Sequence, residues 1–593
     1  MAEAPFRKIL IANRGEIALR VMRSANELGC ATVAVYSDAD RDARHVRYAD
    51  EAYRLGAAAP AQSYLNADKL LELAQRAGAD AVHPGYGFFA ENASFARRVI
   101  AAGLTWIGPH PDAIDAMGDK IRARQAMVAA GVPVVPGGTD AIADAAAARV
   151  AAEKYGLPLA LKASGGGGKG LKVARTLDEL ESAFSTAQRE ASAYFGNPTI
   201  YVERYLENPK HVELQVLADK HGTVLHVGER DCSLQRRHQK LWEEAPALIP
   251  ATVRAGLRAA GVQAARAIGY DSVGTIECLV SGDAFYFLEM NTRIQVEHTV
   301  SEEISGIDLV REQILVAAGR RLSFTQAEVE ASFRGHAIEV RVNAEDPAQN
   351  FRPAPGTVER YAEPGGFGVR VDSAAYPGFT ITPDYDSMIA KLIVRGRSRE
   401  ETLARLARAI DEYVITGVPT TLPLLRALID VPAVRDASYG TATLEEIAPA
   451  LIAPPAEAGS AAWNGAAPIL RGEDAETIRV EVNDRLFRVR FVDLPLPRGT
   501  AAGAAKTPAP KKGGAARRSA AAAGNDVVAP MHGVVVEVPV AAGAQVNEGD
   551  VVAVIEAMKM MNEIRAHRSG SVASIHVAAG ATVEARTPLI TLA

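Results

Sequence analysis

Two stretches near the C-terminus repeat one another, and a lysine lies between them. Gly533-Val-Val-Val-Glu-Val-Pro-Val-Ala-Ala-Gly-Ala-Gln-Val546 recurs as Gly570-Ser-Val-Ala-Ser-Ile-His-Val-Ala-Ala-Gly-Ala-Thr-Val583. Residues 540–544 and 577–581 are both Val-Ala-Ala-Gly-Ala. An internal repeat of this kind constrains the fold before any motif is considered. Each half reads as short strands with turn punctuation, so the two halves pack as a small β-sandwich. Between them runs Glu556-Ala-Met-Lys-Met560, after a β-branched stretch and at the point where the chain must turn. A lysine on a tight turn is most often just solvated. Flanked by two methionines at the centre of a two-fold repeat, Lys559 is instead placed for covalent modification.

These residues resemble the biotinyl carrier domains of biotin-dependent carboxylases, whose modified lysine sits in Ala-Met-Lys-Met; lipoyl carriers share the fold but usually lack both methionines. The resemblance covers about residues 526–593 and implies biotin bound covalently to Lys559. Everything upstream is then testable as the machinery that loads this lysine.

At 593 residues the chain has room for about four domains. It is 48% hydrophobic and 23% charged, enough for large buried cores, and its net charge of −6 gives no reason to expect nucleic-acid binding. Cys30, Cys232 and Cys278 are odd in number and lack metal-binding spacing, which suits a reducing cytosol. No run reaches the roughly eighteen apolar residues of a membrane span. A soluble cytoplasmic protein is the expectation, without nucleic-acid or membrane partners.

Lys8–Ala18 reads as a buried strand, a Gly turn and a helix start, and Ala31–Tyr36 as the next strand, so the chain opens βαβ with a parallel sheet. Gly15 lacks the companions of a dinucleotide fingerprint. Ala12-Asn-Arg-Gly-Glu-Ile-Ala18 and His83-Pro-Gly-Tyr-Gly-Phe88 resemble the N-terminal domain of biotin carboxylases. Further on, Gly165, Gly166, Gly167, Gly168, Lys169 and Gly170 form a run whose backbone N–H groups can wrap phosphate oxygens. No Ser or Thr follows a Gly-Lys, so this is not a Walker loop, and a bare glycine run is often only a flexible loop. Strands predicted at 159–161 and 172–174 make it a loop between two strands, which resembles the ATP-grasp cover over a triphosphate. That resemblance implies phosphate contacts from Lys120 and Lys162, a border of Glu203 to Leu206 around the adenine, and His211 beside the nucleotide. Lys169 departs from an arginine common in relatives.

The charge-dense run Glu229–Pro246 has an exposed, salt-bridged loop as its bland reading, yet Gln235, His238 and Lys240 match the biotin carboxylase pattern. Gly274–Cys278 and Phe285–His298 read as two strands, the second running into a polar segment. Glu277 and Glu289 are expected near strand ends as hard oxygen ligands for Mg²⁺ or Mn²⁺, with Asn291 as a third donor. Arg293, Gln295, Val296 and Glu297 follow. A cation to hold bicarbonate and a carboxylate to deprotonate it form a sensible pair. The resemblance implies Arg341 at the biotin ureido oxygen.

The expected architecture is multidomain α/β: an N-terminal Rossmann-like domain at 1–118, an ATP-grasp domain at 119–335 with a glycine-rich lid at about 138–206, and an α+β domain at 336–450. A connector at 451–525 follows, with a β-hairpin at about 478–492, to which no catalytic role is assigned, and an Ala/Pro/Lys linker at 496–524. The all-β biotinyl domain closes the chain at 526–593. Such a linker has an r.m.s. span of about 25–30 Å. The whole resembles the biotinylated α subunit of a bacterial acyl-CoA carboxylase. This implies ATP- and bicarbonate-dependent carboxylation of the chain's own biotin, Glu297 as base, and carboxybiotin passed to a separate carboxyltransferase (β) subunit that carboxylates acetyl-CoA or propionyl-CoA. Biotin protein ligase and further copies of the chain are the other implied partners. Longer acyl-CoAs, methylcrotonyl-CoA and pyruvate stay open as acceptors. The rival readings are an ATP-grasp ligase of another substrate and a non-catalytic carrier subunit.

Overall fold

The structure, a computed structural model, describes residues 3–138, 140–164, 171–195, 197–452, 477–482, 485–490, 525–531, 533–557, 560–584 and 586–593. The first layer is a parallel sheet of β1 (Lys8–Ile11), β2 (Ala31–Ser37), β3 (Glu51–Gly56), β4 (Ala81–His83) and β5 (Thr105–Trp106), in the order β3-β2-β1-β4-β5. Ile9, Leu10 and Ile11 are all fully buried, as expected for a strand covered on both faces. Helix α1 (Gly15–Glu27) follows β1 directly. The Asn13 side-chain amide donates to Pro84 O and Tyr86 O, both at 2.7 Å, tying the loop after β1 to the loop after β4. Gly85 between them has φ +62°, and a Cβ there would lie 2.9 Å from that amide nitrogen, so only glycine permits the tie.

After helix α2 (Lys120–Ala129), strands β6 (Leu159–Ala163), β7 (Lys172–Ala174) and β8 (Ile200–Arg204) make a small antiparallel sheet, β7-β6-β8. It has its own core, built from Leu159, Leu161, Ile200 and Val202 with helical alanines and Phe184. Residues 165–170, the predicted phosphate-wrapping glycines and Lys169, lie outside the described residues. Eight strands then form one antiparallel sheet in the order β13-β12-β9-β10-β11-β14-β16-β15. They are β9 (Lys210–Ala218), β10 (Val224–Arg236), β11 (Gln239–Ala245), β12 (Val273–Ser281), β13 (Ala284–Asn291), β14 (His336–Asn343), β15 (Val369–Ser373) and β16 (Met388–Gly396). Helix α3 (His298–Ser305) packs on it. The division expected at 335/336 is thus crossed by β-pairing, because β14 adds directly to β11.

Thr477–Val482 and Arg485–Arg490 pair as a two-stranded hairpin around 483–484, where the alternation places it. The 496–524 linker lies outside the described residues. The last unit is two four-stranded sheets over a shared core of Val535, Val552, Ile555, Val572, Leu589 and Ile590. The repeat explains its symmetry. Gly533–Glu537 and Gly570–Ile575, equivalent in sequence, lie one in each sheet, and each pairs with the short second strand of the other half. Gly543 and Gly580 both adopt φ +86°. Val551–Ala557 and Met560–Arg565 pair with Ala557 opposite Met560; residues 558 and 559, Lys559 among them, lie outside the described residues.

Candidate active site

A cavity of about 530 Å³ opens between the small sheet, the large sheet and the loop after β4. Each of these predicted site residues lines it: Lys120, Lys162, Glu203, Leu206, His211, Gln235, His238, Lys240, Glu277, Glu289, Asn291, Arg293, Gln295, Val296, Glu297 and Arg341. Lys559 and the glycines 165–168 and 170 are the predicted residues outside the described set.

Sheet register brings these groups together. Glu213 on β9, Glu277 on β12 and Glu289 on β13 sit directly opposite one another in turn, a row of carboxylates across three strands. Cations answer each acid. Lys120 Nζ lies 2.8 Å from Glu289, and Lys162 contacts Glu203, which Arg124 also approaches at 3.3 Å. Lys240 is the hub: its ammonium contacts Glu213 and donates to Glu277 at 3.0 Å and Glu297 at 2.8 Å. Arg341 spans Glu243, Nε to Oε1 2.7 Å, and Glu297, 3.0 Å. Arg293 donates to Asn291 Oδ1 at 2.5 Å and to Glu91 at 3.0 Å. The Gln295 amide donates to Glu277 at 2.8 Å and accepts from Arg230 at 2.6 Å, while Val296 O accepts from the buried Lys391 at 2.8 Å.

The electrostatics follow from this wiring. Burial alone would raise the Glu297 carboxyl, but Lys240 and Arg341 hold it well below the ordinary range, so it is ionised. Lys120 does the same for Glu289. Burial disfavours a charged His211, yet Glu277, at 3.0 Å, and Glu213 lift it to about 9 and make it an imidazolium. The cluster His211–Glu213–Glu277, whose ligand atoms lie close enough together to hold a metal ion, is here an ion-pair network. The donors that suit a hard cation are Glu277, Glu289 and Asn291, whose amide lies 3.0 Å from Glu277. Two carboxylates opposed across a strand pair fit Mg²⁺; Asn291 donates its amide N–H to Glu277, and its Oδ1, which accepts from Arg293, would be the third oxygen donor.

One local expectation needs correcting. Glu277 is in the middle of β12, not near its end; it reaches the cavity because the cross-strand row faces it, and only Glu289 and Asn291 are near a strand end. The charge-dense run is not an exposed loop: Glu229, Arg230, Glu243 and Glu244 are fully buried in β10 and β11. The hairpin between them turns on Arg237 and His238, at φ +47° and +65°. Both central residues in the left-handed region match a type I′ turn, normally Asn-Gly, and the strain aims His238 at the cavity. Burial keeps His238 below its usual value, hence neutral.

The sequence reading missed Glu213, Arg230, Glu243 and Glu91. Glu213 had a signal, since it is two residues from His211 on a strand and so shares its face. Arg230 is a fully buried guanidinium holding Glu213, Gln215, Thr275, Gln295 and Ser301. Glu91 is 202 residues from Arg293, and no local pattern marks it.

Family models match most of the chain, except chiefly residues 447–524. They are the biotin carboxylase N-terminal domain at 5–114, the carbamoyl-phosphate synthase L chain ATP-binding domain at 119–325, the biotin carboxylase C-terminal domain at 339–446, and the biotin-requiring enzyme domain at 525–592. The chain is 44% identical over 609 aligned residues to the biotin-dependent acyl-coenzyme A carboxylase alpha3 subunit of Mycobacterium leprae, covering 99% of each protein. It is 51% identical over 443 residues to a subunit of the pyruvate carboxylase of Methanothermobacter thermautotrophicus, covering 74% of this chain and 90% of that one. Among solved structures, the biotin carboxylase domain dimer of Hydrogenobacter thermophilus 2-oxoglutarate carboxylase, with MgADP, ADP and bicarbonate, aligns with a TM-score of 0.73 at 48% identity. That alignment covers 76% of this chain and 99% of that one.

Proposed function

The chain belongs to the biotin carboxylase family, as a biotin carboxylase fused to a biotinyl carrier domain, and from that premise we propose that it carboxylates biotin on its own Lys559 and hands the carboxyl group to a separate carboxyltransferase acting on a short acyl-CoA. It is an ATP-dependent ligase component that works with biotin, ATP, Mg²⁺ and bicarbonate. The observation that carries the fuller reading is the convergence of Lys240, Arg293, Glu297 and Arg341 in one cavity with Glu277 and Glu289.

Lys120, Lys162 and His211 offer positive charge to a triphosphate, with Glu203, Leu206, Gln235 and His238 shaping the rest of the nucleotide pocket. Mg²⁺, held by Glu277, Glu289 and Asn291, would neutralise phosphate charge. Arg293, fixed between Asn291 and Glu91, holds bicarbonate with Gln295 and Val296. Glu297 accepts its proton. While Lys240 and Arg341 pair with Glu297 the carboxylate is a weak base. Anionic substrates compete for those cations, and each one drawn away makes Glu297 more basic. Arg341 stabilises negative charge on the biotin ureido oxygen, a task for a fixed cation.

A short acyl-CoA as acceptor is supported by end-to-end similarity to the M. leprae α subunit; relatives named for pyruvate or 2-oxoglutarate match the carboxylase part, which such enzymes share. A carboxyltransferase subunit, biotin protein ligase and a second copy of the chain complete the reading. Three buried, unpaired cysteines fit a cytoplasmic setting; among the described residues no helix is long and apolar enough to cross a membrane. The test is ADP release by the full chain with free biotin. Release that requires both bicarbonate and biotin is expected, and ATP hydrolysis indifferent to bicarbonate would contradict it. An acyl-CoA panel with the copurified carboxyltransferase then identifies the acceptor.

A further inference from the structure

Behind Arg341 the site contains a second pair of acids to which the proposed reaction gives no part. Glu243 on β11 and Glu339 on β14 are register partners, so their side chains share one face with Cβ atoms about 5 Å apart. Neither has any solvent exposure. Arg341, two residues along β14, is on that face too, as is Lys391, its register partner on β16. Glu243 Oε1 takes both the Nε and a terminal nitrogen of Arg341, at 2.7 and 2.6 Å. Glu339 Oε2 accepts the hydroxyl of Thr299 on α3. Glu243 Oε2 and Glu339 Oε1 then remain, both buried and both without a hydrogen-bond partner among the described residues.

Two ionised carboxylates in this arrangement carry two faults. Like charges meet where water is excluded, and each acid has an unpaired buried acceptor. Lys391 is not a dedicated counterion for Glu339: it donates to Val296 O and lies 3.6 and 3.8 Å from Glu16 and Asp372. A single proton between the acids removes both faults. We propose that Glu339 is a neutral carboxylic acid whose O–H is donated to Glu243, and that it acts through Glu243 as a positioning residue for Arg341. Burial pushes Glu339 well above the carboxylate range; Lys391, Thr299 and Arg341 oppose the rise and the Glu243 charge adds to it. Burial likewise pushes Glu243 up to about 7, with Arg341 and Lys240 opposing and Glu297 adding. The positioning part rests on the role proposed for Arg341; the proton does not.

The experiment uses the full-length protein and separates these two claims. An infrared difference spectrum of wild type against Glu339→Gln at pH 8 should contain a protonated-carboxyl C=O band that shifts in D₂O. Loss of carboxylate bands alone overturns the shared proton. Kinetically, Glu339→Ala should raise KM for free biotin roughly tenfold, as expected when a buried charged group loses its hydrogen-bond donor, with KM for ATP unchanged. Glu339→Gln, whose amide N–H donates to Glu243 in place of the acid, should restore most of that loss. A glutamine variant as impaired as the alanine, or KM for ATP rising in parallel, overturns the positioning claim.

Discussion

Along β11, Glu243 and Glu244 turn to opposite faces of the large sheet, both without solvent exposure. Glu244 has every need met: His336 Nε2 at 2.6 Å, Arg399 at 2.7 and 3.0 Å, and the Tyr439 hydroxyl. Against the effect of burial, His336 and Arg399 hold it down at about 2. Glu243 shares one guanidinium with Glu297, has among the described residues no partner for its second oxygen other than the proton proposed on Glu339, and is pushed up to about 7. Adjacent residues of one type thus differ by how completely their charge is answered. A fully answered acid fixes the sheet. A partly answered one leaves its cation available to a substrate, which is the state expected of a site.

The largest expected effect falls where charge is held for chemistry. Glu297→Gln should slow bicarbonate-dependent ADP release with free biotin by about 10²–10⁴-fold, the usual cost of losing a positioned base; because Lys240 and Arg341 hold this carboxyl below the ordinary range, the variant should also melt lower at neutral pH. Wild-type turnover in this variant would make Glu297 a bystander.

Glu244→Gln should lose stability without that loss of turnover. Its pKa falls from 4.5 unfolded to about 2 folded, so the stability it contributes is present above pH 4.5 and is lost as pH drops toward 2. A shift of that size corresponds to about 3 kcal/mol. Melting temperature against pH should therefore be lower for the variant at neutral pH and should converge with wild type in acid. A variant as stable as wild type at pH 7 would break the contrast between the two acids. Glu243→Gln sharpens it from the other side: because Glu243 is raised, its ionised form costs stability above about pH 7. That cost builds as pH climbs from 4.5 and is complete above about 7, so the variant should melt no lower than wild type at pH 8, while KM for biotin rises several-fold through the released Arg341.

The smallest effect on chemistry is expected from the linker. Deleting about fifteen residues of 496–524 should leave the half-reaction with free biotin unchanged, while the overall reaction with a carboxyltransferase falls because a tether too short to span two sites lowers effective concentration. A Gly/Ser segment of equal length should restore it; failure of that replacement would show that the Lys/Arg/Pro sequence itself docks on something.

What could be read from the sequence divides along the same line. The carrier repeat, the opening βαβ unit and the run from Glu289 to Glu297 carry their information in patterns contiguous along the chain, so alternation and motif spacing suffice to place them. Glu213, Arg230, Glu243 and Glu91 act through partners brought in by sheet register or by packing of the first layer on the second, which no local pattern encodes. A strand end is the natural expectation for Glu277, because strand ends usually carry ligands; its function comes instead from the row it forms with Glu213 and Glu289 across the sheet. The strained Arg237-His238 turn departs from the sequence that turn geometry favours, and it departs at the cavity.

The central claim is that this cavity loads biotin on the chain's own lysine. The direct measurement incubates the full chain, coexpressed with a biotin ligase, with ATP, Mg²⁺ and isotopically labelled bicarbonate, then locates the label by peptide mass spectrometry. ATP-dependent label on the biotin at Lys559, absent from Lys559→Ala while that variant still turns over free biotin, is the predicted result. Label that appears elsewhere, or that forms without ATP, would contradict the account.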